Sequence, residues 1–181
     1  MIFMRYVRIP LDRVGVLIGP GGSVKSRLEK LGGRMEIDSS SGEIRLDYPD
    51  SLMALKVDNI VRAIGRGFSP PRAFRLLDDD AYFELVDVHD YVGKHPRHVK
   101  RVSGRVIGTG GKTRRIIEDM TGTHLSVYGH TVGVIGLLED VAAAKKALDM
   151  ILSGSPHAPV YHFLEKWKRD RKFHKLGFSD K

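Results

Sequence analysis

A glycine-loop pattern that occurs twice constrains this chain more than any other feature. Val14–Gly15–Val16–Leu17–Ile18–Gly19–Pro20–Gly21–Gly22–Ser23–Val24–Lys25–Ser26 is answered 89 positions later by a run ending Ile107–Gly108–Thr109–Gly110–Gly111–Lys112–Thr113–Arg114–Arg115. Each is an apolar helical turn, a glycine loop and a new helix start. At this offset Gly15, Ile18, Gly19, Gly21, Gly22, Glu29 and Gly33 fall on Gly104, Ile107, Gly108, Gly110, Gly111, Glu118 and Gly122. Past the next hairpin the offset becomes 87, and Ile60, Val61 and Ile64 fall on Ala147, Leu148 and Ile151. Repetition on this scale means two units of one design. The 181 residues suffice for two small domains of about 70–90 residues each.

Periodicity gives both units the same order. Ile2 to Ile9 alternates as a strand, and Pro10 opens a short helix over Leu11–Leu17. After the loop, Ser23–Leu31 is helical with Val24, Leu28 and Leu31 on one face, and Gly32–Gly33 stops it. Arg34–Asp38 and Glu43–Asp47 make a hairpin around the Ser39–Gly42 turn. Asp50 or Ser51 then caps a helix reaching Ile64, with Leu52, Leu55, Val57, Ile60, Val61 and Ile64 on its apolar stripe. The second pass runs through a strand at Tyr82–Val88, a helix from Pro96 and the second loop. A helix at Lys112–Met120, a hairpin turning at Gly129–His130 and a helix at Leu137–Leu152 complete it. The expected class is α+β, in the order β-α-α-β-β-α twice. The expected divisions are 1–67, a linker at 68–80 stiffened by Pro70–Pro71, 81–154, and a basic helical tail at 155–181.

The partner class follows from charge. Thirty Lys and Arg against 22 Asp and Glu leave a net +8, which favours an anionic ligand. The excess is local, since Lys94 to Arg115 holds eight basic residues and no acidic one. Without cysteine there is no disulfide, zinc ribbon or thiol catalysis. No signal peptide opens the sequence, and no stretch approaches the roughly 18 apolar residues of a membrane span. We expect a cytoplasmic protein.

A glycine loop between two helices lets a nucleic-acid backbone approach closely. The following helix start offers unpaired N–H groups and a positive dipole end. Lys112, Arg114 and Arg115 add full charges in the second copy, as Lys25 and Arg27 do more weakly in the first. Tight helix–turn–helix geometry alone would explain one such loop, but explains two with matched flanks poorly. A nucleoside-triphosphate loop fits worse. It requires glycine where Val106 stands, a preceding strand rather than a helix, and lysine where the first copy has Ser23.

With these loops in a β-α-α-β-β-α order, residues 2–154 resemble two tandem KH domains of the eukaryotic type, modules whose G-x-x-G loop clamps about four nucleotides of single-stranded backbone. The resemblance implies RNA contacts at Ile18, Gly19, Pro20, Gly21, Gly22, Lys25 and Arg27. In the second copy it implies them at Arg105, Ile107, Gly108, Thr109, Gly110, Gly111, Lys112, Arg114 and Arg115. It implies a base groove lined by Val14, Leu17, Ile18 and Val24, and by Val106, Ile107 and Thr113, facing the turns at Ser39–Gly42 and Gly129–Thr131. KH loops usually carry Lys or Arg in the middle, where this chain has Pro20, Gly21, Thr109 and Gly110, and Pro20 also lacks a donor. The second copy is therefore expected to bind more strongly.

The layout is further similar to the archaeal and eukaryotic small-subunit ribosome-assembly factors of the partner-of-Nob-one type. That resemblance implies a non-catalytic protein at the 3′ region of small-subunit rRNA. It implies contact with a maturation endonuclease, an atypical kinase or the alpha subunit of initiation factor two. A scaffold whose KH folds, especially the first, dock proteins is the alternative.

The remaining motifs are weaker. Residues 157–175 form a helix with Val160, Phe163, Leu164 and Trp167 on one stripe among many basic residues. It suits either docking on the second unit or extra RNA or protein contact. Asp78–Asp79–Asp80 reads as a solvated turn or cap rather than a metal site. The eight histidines show no metal-ligand spacing, so neither metal nor cofactor is expected. His95 and His98 read as surface residues beside the basic run.

Overall fold

Pro10 fixes φ at −56° and seeds helix α1, Leu11–Ile18, directly after strand β1, Phe3–Arg8. The first glycine loop follows as a single 3₁₀ turn, Pro20–Gly22, and leads into α2, Ser23–Glu29. Strands β2, Arg34–Asp38, and β3, Glu43–Tyr48, form the hairpin. Helix α3, Ser51–Gly65, is capped by Asp50, whose carboxylate accepts from the Met53 N–H at 2.6 Å. A short helix α4, Pro70–Ala73, and a 3₁₀ turn at Phe74–Leu77 close this half. The computed structural model describes residues 1–177, so residues 178–181 of the expected tail lie outside the described residues.

The second half repeats the plan. Strand β4, Ala81–Asp87, is followed by a short helix α5, His89–Val92, which the sequence reading omitted. Helix α6, Pro96–Ile107, starts at a His95 cap that accepts from the Arg97 N–H at 3.3 Å. The second loop is again a 3₁₀ turn, Thr109–Gly111, before α7, Lys112–Thr121. Strands β5, His124–Tyr128, and β6, Thr131–Leu137, precede α8, Leu138–Leu152, and α9, His157–Lys175. The chain divides into compact units at residues 1–83 and 84–181. Each has a three-stranded sheet in the same order, β1-β3-β2 and β4-β6-β5. Among the described residues no helix is long and apolar enough to cross a membrane.

Period-two burial builds the first core. Val7, Met35, Ile44, Leu46 and Tyr48 point inward from the sheet onto Leu17, Leu28, Val57, Ile60, Val61 and Ile64. Tyr48 is fully buried and donates to the Leu28 carbonyl at 2.7 Å, and burial pushes its hydroxyl up to about 12. Leu52 and Leu55, placed on the core stripe by the sequence, are 56% and 43% exposed. The buried face of α3 runs instead through Ala54, Val57 and Asp58 to Gly65, so its first turn overhangs the core.

Residues 68–77, read as linker, carry buried Phe68, Ala73, Phe74 and Leu76 and pack against α3. Lys56 Nζ donates to the Leu77 carbonyl at 2.7 Å and pairs with Asp79, which accounts for one member of the acidic triplet. The C-terminal helix is no loose appendage. Val160 and Leu164 of α9 are fully buried in the second core beside Ile117, Leu148, Ile151 and Leu152. Trp167 is half-buried next to the Arg171 guanidinium, and Arg171 pairs with buried Asp140.

Candidate nucleic-acid interface

The two loops have the same backbone. The Gly19 and Gly108 N–H groups donate to the Gly15 and Gly104 carbonyls at 3.0 and 2.9 Å, ending α1 and α6. Gly22 and Gly111 then donate to the Gly19 and Gly108 carbonyls, both at 3.1 Å. Gly108 has φ 74°, and a Cβ there would lie 2.4 Å from Thr113 Oγ1; Gly19, at φ 76°, meets Val24 in the same way. Only glycine fits this approach of loop to helix start. The matched glutamates also share one task. Glu29 Oε1 accepts from the Met35 N–H at 3.0 Å, and Glu118 Oε1 from the Leu125 N–H at 2.9 Å, tying each second helix to the strand after it.

The basic side chains differ. Lys112 is exposed at the start of α7, and Arg115 donates to the Gly110 carbonyl at 3.0 Å, which holds its charge over the loop. Arg114 is half-buried, and its Nε has no hydrogen-bond partner among the described residues. In the first loop Lys25 reaches toward Glu29 at 3.9 Å, while the Arg27 guanidinium sits 3.9 Å from the centre of the Phe74 ring.

Arg105 does not join the loop. Its guanidinium donates to the Ile151 and Ser155 carbonyls at 3.1 and 2.5 Å, at the C-terminal end of α8. Arg13 makes the equivalent clamp, donating to the Ile64 and Phe68 carbonyls at 2.8 and 2.9 Å. A cation at a helix C-terminus meets the orphan carbonyls and the negative dipole end, so both arginines hold structure.

Beside the second loop lies a groove of about 720 Å³ with Val99, Ser103, Gly104 and Ile107 of α6 on one side. Val127, Gly129 and His130 of the second hairpin form the other side, with Lys94 and Lys100 at its edge. This volume suits a small organic ligand or nucleobases. Ile107 thus lines the groove as expected, and the turn at Gly129–His130 does face it. Val106 and Thr113 do not, being 0% and 1% exposed in the core, and in the first unit Val14 and Leu17 are core residues too. Ile18 and Val24 remain half-buried beside their loop. Ser103, Val127 and His89 were missed. Ser103 lies one turn before Ile107 on the same helix, and the only signal for Val127 and His89 was the requirement that something stand opposite Ile107.

Comparison with known proteins now has a geometry to explain. A family model described as a eukaryotic-type KH domain (KH-domain type I), the second of PNO1, matches residues 82–169. A KH domain-containing protein of Methanocaldococcus jannaschii is 45% identical over 171 residues, covering 92% of this chain and 74% of its own length. Dim2p of Pyrococcus horikoshii, in a crystal structure of its complex with a/eIF2alpha and rRNA, is 44% identical with a TM-score of 0.88, over 93% of this chain and 96% of that one. The chain belongs to the PNO1/Dim2 family of KH-domain proteins. The pre-rRNA-processing protein pno1 of Aspergillus fumigatus is 31% identical over 76% of this chain, which spans about half (56%) of that fungal member. The PNO1 family model extends past α8 into α9, in keeping with the burial of Val160 and Leu164 in the second core.

Proposed function

We propose that this chain is a non-catalytic RNA-binding factor in the processing and assembly of the small ribosomal subunit. The observation that carries the reading is the juxtaposition in the second unit. An apolar groove to take bases runs beside a glycine loop that carries exposed Lys112 and Arg115 to take phosphates. Gly108, Thr109, Gly110, Gly111, Lys112, Arg114 and Arg115 form the phosphate side, and Ile107 is on the base side. Family membership supports rRNA as the RNA, with its 3′ region as the segment bound.

The first unit is a second KH module in this proposal, over residues 1–67 with the packed segment 68–77 added. Residues 81–154 and α9 form the other. Because Lys25 and Arg27 are engaged within the first unit, we assign that unit chiefly to protein contact. The Pyrococcus complex favours the alpha subunit of initiation factor two as that partner. A maturation endonuclease and an atypical kinase follow as further partners from family resemblance, with the cytoplasm as the place of action.

The test is binding of a short single-stranded RNA to the full chain and to a Thr109→Asp, Gly110→Asp variant. Gly110 has φ 59° and open space around its Cβ position, so aspartate fits there at a cost of about 1–2 kcal/mol. Loss of RNA affinity with an unchanged circular dichroism spectrum is expected. Unchanged affinity refutes the assignment of this loop.

A further inference from the structure

Three electron-pair donors from two segments converge at one end of the second-unit groove. Asp87 ends β4, His89 opens α5, and His130 sits in the turn between β5 and β6. One ligating atom of each lies within 4.8 Å of the other two. His130 Nδ1 is 2.9 Å from Asp87 Oδ1, and His89 Nδ1 is 3.6 Å from the same oxygen. The two rings stack, with centroids 4.1 Å apart and planes 9° from parallel. Backbone bonds fix the set. The His89 N–H donates to Asp87 Oδ1 at 2.9 Å, and the Val88 N–H donates to the His130 carbonyl at 2.8 Å.

As a cluster held by protons this arrangement is incomplete. One carboxylate oxygen faces two imidazole nitrogens, and only the nearer is at hydrogen-bond distance. Protonating both rings would place two cations face to face. A divalent cation removes both difficulties, taking lone pairs from two neutral imidazoles and the charge of the carboxylate. Ligand bonds of about 2.0–2.2 Å around a tetrahedral ion set the donors about 3.3–3.5 Å apart. The observed 2.9 and 3.6 Å bracket that spacing, but an imidazole lone pair lies in its ring plane, so one of the two stacked rings must turn about its Cβ–Cγ bond for both to meet one ion. Two imidazoles with one carboxylate suit Zn²⁺ and its first-row neighbours, whereas Mg²⁺ and Ca²⁺ take oxygen ligands. The side chains are 24–43% exposed, and His89 and His130 line the groove, which leaves a ligand position open on that side.

We propose that Asp87, His89 and His130 form a three-ligand site for a divalent transition-metal cation of the Zn²⁺ class, its remaining position open to the groove. The site stands on donor geometry and is independent of the RNA reading. It was invisible in the sequence because Asp87 and His130 are 43 positions apart.

The test uses the full chain without an affinity tag, stripped with a chelator. Zn²⁺ is titrated by calorimetry, and Co²⁺ by its visible absorption bands. Saturation at one equivalent is expected, with the ring signals of His89 and His130 shifting in NMR of the unaltered protein. His130→Ala and Asp87→Asn should each weaken Zn²⁺ binding about tenfold or more, while His162→Ala, on the exposed face of α9, changes nothing. Absence of saturable binding overturns the site. So does binding that moves other histidine rings and leaves His89 and His130 unshifted.

Discussion

Gly19 and Gly108 share φ and ψ within 2°, at 76° and 170° against 74° and 171°, and Gly21 and Gly22 match Gly110 and Gly111 as closely. The chemistry mounted on that shared backbone differs. In the first loop Pro20 removes a donor, Lys25 faces Glu29 and Arg27 stacks over Phe74. In the second, Lys112 projects from the helix start and Arg115 is latched to the Gly110 carbonyl. The helix-start residue facing each loop differs too. Val24 is apolar, whereas Thr113 Oγ1 lies 2.8 Å from Tyr161 Oη of α9, which adds a brace that the first copy lacks. A duplicated fold can therefore keep a loop's geometry while its charges take partners within their own unit.

The largest expected effect separates the copies directly. Thr109→Asp with Gly110→Asp should cost about 2–3 kcal/mol of RNA affinity, a factor of about 30–150, by setting carboxylates against phosphate. Pro20→Asp with Gly21→Asp should cost less than about threefold by the same filter-binding or anisotropy measurement. Equal losses would erase the distinction.

Removing charge sharpens it further. Lys112→Ala with Arg115→Ala should flatten the slope of log affinity against log salt by about 1.4, two phosphates on a single strand. Lys25→Ala with Arg27→Ala should leave that slope unchanged. Arg27→Ala should instead lower stability by about 0.5–1 kcal/mol through the lost Phe74 contact, read by urea denaturation.

These expectations show where the sequence was informative. The repeat itself, read as matched glycines and Glu29 with Glu118, located both loops and most element ends, because capping and turn chemistry are local. The role of Arg105 was not local. Its partners lie 46 and 50 positions away, and by spacing alone it was one more cation in a basic run. Val106 and Thr113 were misplaced because a helix stripe shows which residues are apolar but not which face meets the core. The segment 68–77 looked like linker from its glycines and prolines, yet Phe68, Phe74 and Leu76 supply apolar surface that α3 covers.

Two further effects should be symmetric or local and leave RNA binding aside. Arg105→Ala and Arg13→Ala should each lower stability by about 1–3 kcal/mol, seen as a drop in Tm, with little change in RNA affinity. The smallest concerns Asp38 at the first hairpin turn. Hydrogen bonds from the Ser40 hydroxyl and N–H hold its carboxyl down at about 2. Since the folded value lies below the unfolded one, its stabilisation is full above the ordinary carboxylate range and is lost as pH falls toward 2. A carbon-13 carboxyl titration should find that midpoint, and Ser40→Ala should raise it.

The central claim is that the second loop and its groove hold the RNA backbone and bases. An NMR titration of the isotope-labelled full chain with a short single-stranded RNA tests it most directly. The account predicts the largest shifts at Ile107 to Arg115 and at Val127 and Gly129, with small ones at Gly19 to Ser26. Shifts concentrated at the first loop, or absent from the groove, would contradict it.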